Sequence, residues 1–223
     1  LATWSVLCDF DGTISTSDVT DVLLEAFGKP GWQELEEEWR AGRMGSRECM
    51  QRQIACLDAS KEELDEAIDA IGVDEDFAAF VDAVASRGWN LTIVSDGLDY
   101  AIARLLKRHQ LPLLPFYANR LTQSGERSWR LDSPYANEMC RSASGTCKCS
   151  IARRARVTSD KVLLIGDGRS DFCVAGRSDL VFAKGSLAAY CLEKRLPHIP
   201  ISGFDDALRM IPALVDSQLV HSA

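Results

Sequence analysis

The chain has 223 residues, 46% of them apolar, and a formal net charge of −8. That length suits one α/β domain carrying an insertion, or one domain with a small companion. The acidic balance argues against non-specific nucleic-acid binding, and no apolar run reaches the roughly 18 residues that a membrane span needs, so neither nucleic acid nor membrane is expected as a partner.

The first expected element is a strand over residues 4–9, WSVLCD, running into Asp9-Phe10-Asp11-Gly12-Thr13. On strand alternation Asp9 and Asp11 point the same way, so something should offset their repulsion. From Ser17 to about Gly72 no strand candidate appears. Four helical segments follow one another instead: 18–28, 31–42, 46–57 and 60–72. Gly28-Lys29-Pro30-Gly31 punctuates the first pair, and Ser60 with Glu63 fits a capping box. An ordinary crossover needs one helix, so this block reads as a helical cap domain over 17–73, with the core over 1–16 and 74–223.

Beyond the block, strand and helix alternate. Residues 76–88 and 99–110 have helical spacing around a strand at 91–95, LTIVS. Residues 116–132 suggest a hairpin turning at QSGE, 123–126. A helix over 150–157 leads into a strand at 162–166, VLLIG, and LVFA at 180–183 is another. Short apolar strands separated by helices imply a doubly wound, Rossmann-like parallel sheet of the α/β class.

Ligands bind such sheets outside the carboxyl ends of the strands. The ends here carry Asp9 to Thr13, then Ser95-Asp96-Gly97, then Gly166-Asp167-Gly168-Arg169-Ser170-Asp171. Clustered carboxylates resist joint ionisation unless a cation is bound among them. An oxygen-only cluster without histidine suits Mg²⁺ together with a phosphate. A carboxylate so placed can serve as a nucleophile. Two lysines compete for the neutralising cation. Lys161 opens the 162 strand, about 16 Å from its carboxyl end. Lys148 precedes a helix whose N-terminus returns to that end, so geometry selects Lys148.

These motifs together resemble the haloacid dehalogenase superfamily. Asp9-Phe10-Asp11-Gly12-Thr13 matches its D-x-D-G-T motif, Ser95 its second motif, Lys148 its third, and Gly166-Asp167 with Asp171 its fourth. A helical insert between the first and second motifs resembles the phosphoserine-phosphatase-like subclass. The resemblance implies Asp9 as nucleophile and metal ligand. It implies Asp11 as general acid and base, with its carbonyl on Mg²⁺. Ser95 and the Gly97 backbone would bind phosphoryl oxygens, Lys148 would offset their charge, and Asp167 and Asp171 would complete the metal site. The activity implied is phosphomonoester hydrolysis through an aspartyl-phosphate, with the cap closing to exclude water. The substrate would be a small phosphorylated metabolite, such as a keto-pentenyl phosphate of methionine salvage or a phosphoserine-like compound. Phosphoryl transfer to a second alcohol, dehalogenation and non-catalytic binding are the competing readings.

Other features have blander readings. Asp18 and Asp96 are candidates to touch substrate, but each is more simply a helix cap. Cys140, Cys147 and Cys149 lack the paired C-x-x-C spacing of a zinc site. With eight cysteines in a chain this long and no leader-like segment, reduced thiols and a cytoplasmic setting are expected. A monomer or homodimer is expected.

Overall fold

The computed structural model describes residues 2–112 and 114–215. Residues 1, 113 and 216–223, which the expected core includes, lie outside the described part. In chain order the elements are β1 (Trp4–Cys8), α1 (Val19–Phe27), α2 (Trp32–Arg40), α3 (Ser46–Ala55), α4 (Lys61–Asp69), α5 (Phe77–Ala85), β2 (Asn90–Leu98) and α6 (Asp99–Arg108). Then come β3 (Phe116–Gln123), β4 (Trp129–Asp132), α7 (Lys148–Thr158), β5 (Lys161–Gly166), the short α8 (Phe172–Ala175), β6 (Leu180–Ala183), α9 (Gly185–Lys194), β7 (His198–Pro200) and α10 (Phe204–Val215). The class is α/β, mostly parallel, with the helices α1–α5 inserted between β1 and β2.

Contacts divide the described chain into two compact units. The first comprises the described residues of Leu1–Ile14, Val73–Val94 and Lys148–Ala223. Its strands run parallel in the order β2-β1-β5-β6-β7. Parallel strands are covered on both faces, so they read as continuous apolar runs. Accordingly all five residues of β1 and all four of β6 are buried. Register brings the strand ends level: Cys8 pairs with Ile165, and Gly166 with Ala183. The Asp9 N–H extends the ladder by donating to the Ile165 carbonyl at 2.8 Å. Phe77 and Phe80 of α5 pack on Phe204 of α10 with centroids 4.9 and 5.1 Å apart. Lys161 lies at the opposite end of β5, its Nζ over the Trp4 ring.

The second unit comprises Ser15–Gly72 and Ser95–Cys147. The expected hairpin is present: β3 and β4 pair antiparallel, Gln123 opposite Trp129, and Ser124 N–H donates to the Ser128 carbonyl. The capping box is also present, with Ser60 Oγ accepting from Glu63 N–H and Glu63 accepting from Ser60 N–H. Asp18 caps α1 by accepting from Asp21 N–H at 3.1 Å. Specific contacts hold the inserted helices to the later segment. Trp129 Nε1–H donates to the Ala59 carbonyl at 2.9 Å. Arg127 donates to the Asp58 side chain and carbonyl and pairs with Glu63. Arg104 forms a two-pronged pair with Asp69 at 2.6 and 2.9 Å, a geometry that fixes orientation as well as charge.

Candidate active site

In the first unit, the carboxyl ends of β1 and β5 bring Asp9, Asp167 and Asp171 together. One oxygen of each lies within 4.8 Å of the others. Asp9 is 5% exposed and Asp171 fully buried. Lys148, the first residue of α7 and itself 2% exposed, places Nζ 2.8 Å from Asp9 Oδ2 and 2.6 Å from Asp171 Oδ1. The helix begins two residues earlier than its apolar pattern predicts, and that extension is what carries the lysine to the strand ends. Asp11 opens the turn after β1 and is half-buried.

Two glycines make the close approach of these acids possible. Gly12 has φ +69°, and a Cβ there would sit 2.6 Å from Asp167 Oδ2. A Cβ on Gly166 would fall inside the contact distance of Asp171 Oδ2. Gly166→Ala is therefore expected to displace Asp171 and break its bond to Lys148. Activity should fall by at least about tenfold, since misplacement of about 1 Å can cost far more. Steady-state kinetics beside a thermal melt checks this.

Two hydroxyls complete the group, and periodicity alone gives neither of them a role. Thr13 Oγ1 donates to Asp167 Oδ1 at 3.2 Å. Ser170 Oγ accepts from Lys148 Nζ at 3.1 Å and donates to Asp9 Oδ2 at 3.4 Å. The available sequence signal for Ser170 is its place directly before Asp171.

The electrostatics are lopsided. Burial opposes the Lys148 charge, but Asp171 and Asp9 outweigh burial and hold the ammonium well above the ordinary lysine range. Burial pushes the Asp167 carboxyl up and the charge of Asp9 adds to it, partly countered by the Thr13 hydrogen bond and by Lys148. Burial and Asp9 likewise push Asp171 up, while Lys148 pulls it back. Three carboxylates thus converge, two of them paired with Lys148 and the third, Asp167, feeling Lys148 and Lys184 at longer range, which leaves negative charge that a divalent cation would offset. The donor set is all oxygen, which fits Mg²⁺. Among the described residues no cysteine group converges in this way.

In the second unit, Ser95 is fully buried inside β2, which continues to Leu98, beyond the strand end expected at residue 95. Its Oγ accepts from the Gly97 N–H at 2.8 Å, a local bond within the last residues of β2. The capping role expected of Asp96 is not what the structure shows. The residue at the N-cap of α6 is Leu98, without a side-chain cap bond. Asp96 instead accepts from Ser46 Oγ at 2.7 Å, Thr146 N–H at 2.8 Å and Asn119 Nδ2 at 3.2 Å. A carboxylate with three donors within reach, those of Asn119 and Thr146 buried, satisfies them better than it caps a helix that begins three residues later. Asp96→Ala should strand these donors and cost about 1–3 kcal/mol, read as a lowered melting temperature.

The comparisons with known proteins agree with this arrangement. A family model described as haloacid dehalogenase-like hydrolase matches residues 6–176, the span from β1 through α8 that holds all of these groups. The chain belongs to the haloacid dehalogenase-like hydrolase family. Among curated relatives, a 2-hydroxy-3-keto-5-methylthiopentenyl-1-phosphate phosphatase of Exiguobacterium is 31% identical over 90% of this chain and 94% of its own length. One of the same name from Geobacillus kaustophilus is 32% identical over 91% and 93%. Among solved structures, a phosphoserine phosphatase described as a phospho-aspartyl intermediate analogue superposes with TM-score 0.71 at 18% identity, covering 94% of this chain and 99% of that one. At that identity the likeness shows the fold. Family, relatives and site together make this dehalogenase-family protein an enzyme, a phosphatase.

Proposed function

We propose that the protein is a Mg²⁺-dependent phosphomonoesterase whose substrate is 2-hydroxy-3-keto-5-methylthiopentenyl-1-phosphate, the keto-pentenyl phosphate of methionine salvage. The observation that carries this reading is the near full-length similarity to relatives with that name, joined to the Asp9–Lys148–Asp171 cluster. Phosphoserine is the competing substrate. It rests on likeness of fold alone.

Asp9 is the nucleophile in this reading. Its Oδ2 lies 2.8 Å from Lys148 Nζ, so the ammonium orients the carboxylate for attack on phosphorus. Asp11 protonates the leaving alcohol and then takes a proton from the water that cleaves the aspartyl-phosphate. The Ser95 hydroxyl binds a phosphoryl oxygen, and the Gly97 N–H binds another once it releases Ser95 Oγ. Lys148 offsets the charge that gathers there, an interaction made before the reaction begins and so free of reorganisation cost. Asp9, the Asp11 carbonyl, Asp167 and Asp171 would hold the Mg²⁺. A bound divalent cation would supply positive charge against the phosphoryl group and the converging acids. Residues 17–73 serve as the cap domain and residues 1–16 and 74–223 as the core domain, and the cap selects the substrate. Asp18 acts as a helix cap and not as a substrate contact.

Chelation should abolish phosphate release, and Mg²⁺ should restore it. Given both substrates, the enzyme should show kcat/KM at least about a hundredfold higher for the keto-pentenyl phosphate than for phosphoserine. Equal values, or a preference for phosphoserine, would overturn the substrate assignment while leaving the phosphatase in place.

A further inference from the structure

None of the eight cysteines is bridged, but two of them approach one another closely. Cys149 Sγ and Cys173 Sγ are 3.3 Å apart. Cys149 is the second residue of α7 and Cys173 the second of α8, so the pair joins two elements and is not a neighbouring pair in sequence. Both are half-buried, whereas Cys8, Cys49, Cys147 and Cys191 are buried, so small reagents can reach the pair. The position has consequences for the site. Cys149 directly follows Lys148, and Cys173 comes two residues after Asp171. These are the two ends of the 2.6 Å ion pair.

We propose that Cys149 and Cys173 are a reversible disulfide switch set directly behind the Lys148–Asp171 pair. The oxidant is a low-molecular-weight disulfide such as oxidised glutathione. One cysteine sulfur attacks a glutathione sulfur, and the first glutathione leaves as a thiol. The second cysteine sulfur then attacks the protein sulfur of the mixed disulfide and expels the second glutathione. Two protein S–H bonds are lost, one S–S bond forms, and the oxidant ends as two thiols that carry the two protons. A disulfide sulfur pair is about 2.0 Å apart, so closure takes up the remaining sulfur–sulfur gap of about 1.3 Å and pulls on the starts of α7 and α8. Lys148 and Asp171 move with them, and Nζ loses its alignment with Asp9. The effect on turnover rests on the role proposed for Lys148; the cross-link itself does not.

The test uses the whole reduced protein, titrated with oxidised glutathione, alkylated, digested and mapped by mass spectrometry, with activity followed in parallel. The expected product is a Cys149–Cys173 peptide pair lighter by two hydrogens. Phosphatase turnover should fall at least about tenfold and be recovered with dithiothreitol. Cys173→Ser should keep its turnover in the oxidant. Glutathione adducts without the cross-link, or bridges formed chiefly by other cysteines, would overturn the pair. A clean Cys149–Cys173 bridge with unchanged turnover would overturn the switch, as would equal inactivation of Cys173→Ser.

Discussion

Asp9→Asn should lower Mg²⁺-dependent p-nitrophenyl phosphate hydrolysis by at least about a thousandfold without lowering the melting temperature. An amide cannot displace an alcohol from phosphorus as a carboxylate does, so the chemical step loses its nucleophile. The fold has less to lose. The amide oxygen can still accept the Phe10 N–H that Asp9 Oδ1 takes at 2.8 Å. The variant also reduces three converging carboxylates to two, which relieves their repulsion, and Lys148 keeps Asp171 as its partner. Loss of activity together with loss of folding would mean that Asp9 is structural. Retained activity would place the nucleophile elsewhere.

Lys148→Met should act differently, harming stability and turnover together. The lysine is 2% exposed and spans two acids whose side chains are 6% and 0% exposed. Removing it leaves Asp9 and Asp171 buried without their cation. Breaking a buried pair in this way costs about 3–5 kcal/mol. For a chain of this length that is a drop in melting temperature of roughly 10 °C. Turnover should fall as well, because the charge gathering on the phosphoryl oxygens loses a fixed partner. Combining Lys148→Met with Asp171→Asn should recover much of the stability and none of the activity. A single variant that melts like the wild type would show that other groups already neutralise the acids. The two variants separate the roles of the pair: one removes a reacting atom, the other a charge on which the buried acids depend.

Much of this site was legible in the sequence because it is built at strand ends. A buried parallel strand is an apolar run, and the residue after it marks the carboxyl edge. That logic located Asp9 and Asp167 from Val6-Leu7-Cys8 and Val162 to Ile165, whereas the strand expected to end at Ser95 runs on to Leu98. Chain direction then separated Lys148 from Lys161, and Lys161 lies at the far end of β5 beside Trp4. Contacts that join distant segments without periodicity were not legible. Asp96 was read as a helix cap because only its local neighbours are visible in sequence. Its partners Ser46, Asn119 and Thr146 are 50, 23 and 50 residues away. The Arg104 and Arg127 pairs that tie the inserted helices to β3, β4 and α6 were hidden for the same reason. The approach of Cys149 to Cys173 needed the packing of α7 on α8, and no spacing rule encodes it. The hairpin at residues 116–132 was visible because its turn chemistry is local.

The central claim is that phosphate passes through Asp9. Quenching the enzyme with acid during turnover, then reducing with borohydride and mapping peptides, tests it most directly. Borohydride reduces an acyl phosphate to an alcohol, so the account predicts homoserine at position 9 and unchanged Asp11, Asp167 and Asp171. Phosphate release with no reduced residue at position 9, or trapped phosphate on Ser95, would contradict it.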